Sequence, residues 1–73
     1  MKVTGTVAWI EMGSGTWGLQ GDDGKTYELY GDKAAALNTE GQKVSITGKI
    51  REDVMTMAMI GPVLEVDSFE VVD

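Results

Sequence analysis

The sequence contains neither cysteine nor histidine. Without cysteine there is no disulfide framework and no thiolate metal site, so a small core has to hold without covalent staples. Without histidine as well, the usual nucleophile and base pairs cannot be assembled, and Ser14, Ser45 and Ser68 have no activating partner. Basic residues are scarce: six stand against twelve acids, and the formal charge of −6 opposes phosphate backbones and anionic membranes. Generic nucleic-acid binding is disfavoured on that ground, and membrane association is not expected. No run approaches the roughly 20 apolar residues of a membrane-spanning helix, and the start MKVTGTVAW lacks the apolar stretch of an export signal. The chain as written reads as soluble and unexported, and a processed extracytoplasmic form carrying a new Met1 would read the same way.

What is present points to strands. Ten glycines, one proline and many Val, Thr and Ile residues favour short strands and tight turns in one domain spanning 1–73. The clearest unit is Thr16 to Gly31. Asp23-Gly24 predicts a type I′ hairpin turn, with Trp17 and Leu19 before it and Tyr27 and Leu29 after it on one buried face. Ahead of it, Lys2 to Met12 reads as a first strand with Val3, Gly5 and Val7 on one side. Gly5 marks a bend or bulge there, and both faces are expected to be buried at Ala8, Trp9 and Ile10. After the hairpin, DKAAALN offers one or two helical turns with Asp32 as N-cap and Asn38 or Gly41 as stop, and Ala34 and Leu37 placed to plug one end of a barrel. Gln42 to Arg51 alternates cleanly, with Val44, Ile46, Gly48 and Ile50 inward. Val63 to Val72 forms the last strand, and the offset between Val66 and Phe69 predicts a bulge.

Strand, strand, strand, short helix, strand, long connection, strand is the order of an all-β, five-stranded Greek-key barrel of the OB type, with one short helix between strands 3 and 4. The motifs V-x-G-x-V at Val3 to Val7, W-x-L at Trp17 to Leu19, D-G-x-x-Y-x-L-x-G at Asp23 to Gly31, G-x-x-V-x-I-x-G-x-I at Gly41 to Ile50 and L-x-V at Leu64 to Val66 carry the same message. Over nearly its whole length the chain resembles small bacterial OB-fold proteins of uncharacterised function. Each of those positions serves a turn, a bend or a core face, so the resemblance implies a fold and names no ligand.

Three sets of residues carry candidate chemistry, and none is catalytic. Trp17 and Tyr30 are aromatic platforms for stacking, and Lys49 and Arg51 are cations for phosphates on the strands an OB barrel uses to bind single strands. Glu52 and Asp53 follow at once, and Glu28 shares the face of Tyr30, so acids largely cancel that strip. The stretch VMTMAMI puts Met55, Met57 and Met59 on one side of a ribbon. Flexible methionines fill irregular gaps in a core, or form an adaptable contact surface beside Met12. Thioethers also suit Cu(I) or Ag(I). Met55-Thr56-Met57 is similar to the ligand segment of periplasmic copper and silver chaperones, themselves small OB barrels, but that family adds a histidine and a tryptophan that this chain lacks there. Gly13, Gly15 and Gly18 match G-x-G-x-x-G, yet a strand follows where a phosphate-binding helix would have to begin. The Asp22-Asp23 pair sits at a hairpin tip without the ligand spacing of a calcium loop. The reading that results is a non-enzymatic binding or interaction module for a protein or small ligand, without a resident cofactor, monomeric or weakly dimeric. Its expected ligand-binding residues are Trp17, Tyr30, Lys49, Arg51, Met55, Met57 and Met59. Single-stranded nucleic acid and soft-metal binding are the alternatives.

Overall fold

Alternation along the strands decides which side chains go inward. In the computed structural model, which describes residues 1–11, 15–54 and 61–72, there are five strands: β1 (Lys2–Ile10), β2 (Thr16–Gly21), β3 (Thr26–Tyr30), β4 (Lys43–Arg51) and β5 (Val63–Val71). A five-residue 3₁₀ turn, Asp32–Ala36, lies between β3 and β4. The strands form one sheet that closes into a ring in the order β1-β2-β3-β5-β4. All neighbours are antiparallel except β3 and β5, which run parallel. The core is the set of inward side chains: Val3 and Val7 from β1, Leu19 from β2, Tyr27 and Leu29 from β3, Val44 and Ile46 from β4, Leu64 and Val66 from β5.

Two devices let so short a chain close on itself. First, β1 serves both sides: residues 2–6 pair with β4 and residues 5–10 with β2, so Gly5 faces both Gly21 and Val44. Second, β5 carries the bulge expected between Val66 and Phe69: Gly48 opposes Val66 and Thr47 opposes Ser68, which leaves Asp67 as the extra residue. Gly48 is required beside that bulge because a Cβ there would collide with the Glu65 carbonyl oxygen and stand 3.0 Å from its carbon. The stagger around the ring is large. One row runs Ala8, Gly18, Glu28, Val63, Arg51, and Arg51 lies four residues past Thr47, the partner of Lys2. The row therefore returns to β1 about ten residues before its start, which demands strongly tilted strands.

Several local expectations are corrected. The β2–β3 connection is not a two-residue type I′ turn. Gly24 N–H donates to the Gly21 carbonyl at 3.0 Å, Gly21 N–H donates to the Lys25 carbonyl at 2.8 Å, and Gly24 has φ of 87°. This is a three-residue loop whose left-handed position comes after the turn, leaving Asp23 free to use its side chain. Its carboxylate accepts from Lys25 N–H at 3.0 Å and from the Tyr27 hydroxyl at 2.9 Å. The short helix is capped by Gly31 rather than Asp32, makes no side-chain cap bond, and ends at Leu37 instead of Asn38 or Gly41. Its packing is as expected: Leu37 is fully buried and Ala34 packs against the core. The two-sided burial expected at Ala8, Trp9 and Ile10 fails at Trp9, which is 41% exposed. The first strand ends at Ile10, and Met12 lies outside the described residues.

Candidate functional site

Three of the residues singled out from the sequence lie on one outer face because β5 stands between their strands. Tyr30 at the end of β3 is in register with Glu65 on β5, and Glu65 is in register with Lys49 on β4. Arg51 is two residues beyond Lys49 and so points to the same side. Tyr30 is exposed, and both cations are engaged by acids. Arg51 Nε and Nη2 grip the Asp53 carboxylate at 2.8 and 2.7 Å, and its Nη1 donates to Glu65 Oε1 at 3.0 Å. Lys49 Nζ lies 3.6 Å from the same Glu65 oxygen.

The electrostatics follow from that geometry. The guanidinium of Arg51 holds the Asp53 carboxyl down to about 2, and the same guanidinium, with Lys49 beyond it, depresses Glu65. Bonding to Asp53, then Glu65, raises Arg51 further. The planar fork of Arg51 is thus engaged by two carboxylates, the geometry for which a guanidinium is best suited. Sequence order showed that Asp53 was near. The role of Glu65 depends on the β4–β5 register, which no local pattern reveals.

Trp17 belongs elsewhere. It has the inward parity of Leu19, is half-buried, and packs against the core at one end of the ring. Its cross-strand partner is Trp9, with ring centroids 5.1 Å apart and planes at 68°, an edge-to-face pair. Trp9 also lies over Gly15. A Cβ on Gly15 would stand 3.0 Å from Cη2 and 3.2 Å from Cε2 of that indole, and Gly15 has φ of 89°. The outer aromatic of this end is therefore Trp9, which sequence reasoning left out. The available signal was parity: Trp9 continues the inward series Val3, Gly5, Val7 past the point where the core has other side chains to fill it.

Met55, Met57 and Met59 fall outside the described residues. Among the described residues no group of three or more acids is arranged to hold a metal ion, and no helix is long and apolar enough to cross a membrane. At the hairpin end, an open hollow of about 230 Å³ is lined by Met1, Val3, Thr4, Asp22 and Tyr27 among others. The Tyr27–Asp23 hydrogen bond forms part of its wall, and that bond raises the Tyr27 phenol.

These features define an all-β protein with a five-stranded ring, one aromatic end and a neutralised charged strip on its side. Comparison with protein-family models, with curated proteins and with solved structures returned no match.

Proposed function

We propose that the chain is a non-enzymatic binding module on an OB-type Greek-key barrel, contacting a protein or small ligand chiefly through the Trp9–Trp17 end. The strand order β1-β2-β3-β5-β4 with a short helical turn after β3 supports the OB-type reading. The observation that carries the functional reading is Trp9. It is the larger of the two exposed aromatics and lies against Trp17 and Gly15, while smaller side chains such as Val7, Leu19 and Leu37 are completely enclosed. Aromatic surface left in water is a common anchor of a contact.

A base would stack on the same indole, so single-stranded nucleic acid is the second reading. Lys49 and Arg51 add little to it, since a phosphate would first have to displace Glu65 and Asp53. The test is NMR of the free protein with a soluble paramagnetic probe. Strong broadening of the Trp9 indole and the Tyr30 ring, with Trp17 less affected and Tyr27 protected, is the expected pattern. Trp9 as protected as Tyr27 would leave the ring without this surface and end the proposal.

A further inference from the structure

The surroundings of Trp9 narrow the ligand class. Glu11 is exposed, two residues beyond Trp9 and one past the end of β1. Glu40 is exposed on the 39–42 turn, where Gln42 N–H donates to the Thr39 carbonyl at 3.2 Å. That turn is fixed against β1: Gly41 N–H donates to the Val7 carbonyl at 2.8 Å and Val7 N–H donates to the Gln42 carbonyl at 2.9 Å. The turn that carries Glu40 is thereby anchored at Val7, two residues before Trp9 on β1. Neither acid forms an ion pair with a described residue. Lys43, which starts β4 opposite Thr6, is held by Asp22 at 3.0 Å.

We infer that the Trp9 indole, flanked by Glu11 and Glu40, is a seat for a guanidinium or ammonium side chain on a basic segment of a partner protein. The inference rests on the binding-module reading and assigns its partner. An indole face attracts a cation through its quadrupole, most strongly among the aromatic side chains. Two carboxylates without an ion-pair partner among the described residues supply the charge that a cation requires and that a phosphate is repelled by. The whole molecule reinforces the local sign, since its charge of −6 draws basic segments toward it before contact. A neutral oligosaccharide stacks on indoles too, but it gains nothing from that field.

The experiment is a titration of the ¹⁵N-labelled protein with hexa-arginine, with cellohexaose and oligothymidine as alternative probes, following the Trp9 and Trp17 indole N–H resonances. Hexa-arginine is expected to move Trp9 most. Trp9→Leu should weaken it roughly two- to fivefold, the range of an exposed cation–π contact. The double change Glu11→Gln with Glu40→Gln should weaken it by roughly threefold or more. Asp67→Asn with Glu70→Gln removes the same charge from β5 and controls for diffuse attraction. Equal loss in that control, or shifts scattered away from Trp9, would overturn the inference. Cellohexaose or oligothymidine binding at Trp9 in place of hexa-arginine would also overturn it while keeping the module reading. Silence toward all three probes would count against both.

Discussion

Replacing Leu37 with alanine tests the central packing feature of the fold. Leu37 is completely buried, and it is the one fully enclosed large side chain among the described residues that comes from outside the strands. It follows a 3₁₀ turn of five residues, too short to hold itself, so the segment stays in place because Leu37 fills the ring. A buried Leu→Ala change costs about 2–5 kcal/mol, depending on how far the cavity collapses. A chain of 73 residues has only about 4–11 kcal/mol to lose at typical per-residue stability. The upper half of the cost applies here, because the walls are strands tied into a closed ring and cannot move inward independently. With a urea m-value of about 1 kcal/mol/M for so small a domain, the midpoint should fall by ~3.5 M or more, or the variant should be unfolded without urea. Urea titration followed by tryptophan fluorescence and far-UV circular dichroism reads this directly. Asp32→Ala is the companion: it makes no side-chain cap bond and should change stability by less than ~0.5 kcal/mol. A loss below ~1 kcal/mol for Leu37→Ala, or a larger loss for Asp32→Ala, would refute the argument that packing rather than capping holds this segment.

Other perturbations probe separate links. Gly48→Ala places a methyl group against the Glu65 backbone beside the bulge and should cost more than ~2 kcal/mol in urea unfolding, because backbone on both strands has to shift. The Lys25 N–H and Tyr27 hydroxyl bonds lower the Asp23 carboxyl, so its stabilisation is full above the ordinary value of 3.8 and is lost as pH falls through the folded value. Its partner Tyr27 is raised, so that contribution is complete below pH 10.0 and is lost as pH rises through the folded value. Asp23→Asn should flatten the acid limb of a stability-versus-pH curve, and Tyr27→Phe the alkaline limb, both measured as urea midpoints. Asp53→Asn with Glu65→Gln frees Arg51 and Lys49, so oligothymidine binding should appear or strengthen and should fall with added salt. Equal binding by the parent protein would show that the ion pairs do not mask the strip.

Much of the fold is legible because it depends on short-range patterns. Val44, Ile46, Gly48 and Ile50 announce an inward face through strict alternation, and the slip from Val66 to Phe69 announces the bulge. Leu37 stands out as the apolar residue ending a short helical run. What failed depended on hydrogen bonds and register. Asp23-Gly24 suits either hairpin loop, and only the bond from Gly21 N–H to Lys25 selects the longer one. Gly31 takes the cap because its φ of 102° turns the chain, leaving the Asp32 side chain out of the cap. The site fared less well. For Lys49 and Arg51 the chain order shows only the neighbouring acids Glu52 and Asp53, whereas Glu65 reaches them through the β4–β5 register, a pairing across at least fourteen residues of sequence. Trp17 and Tyr30 looked like partners, but strand parity sends one inward and the other outward.

The closure of the ring also governs how the chain is made. Lys2 pairs with Thr47, and Glu28 pairs with Val63, so the last seams join residues that leave the ribosome far apart in time. Residues 2–30 contain every partner that β2 needs, but the outer edges of β1 and β3 have none until β4 and β5 have been made. At roughly 5–20 residues per second, the interval between Tyr30 and Glu65 lasts about 2–7 s. For those seconds the nascent chain carries two unpaired strand edges, each a template for a neighbouring copy. The folded ring has sealed both, so these two edges are open only during synthesis and refolding, and dilution during refolding is the condition under which the protein should be recovered most completely.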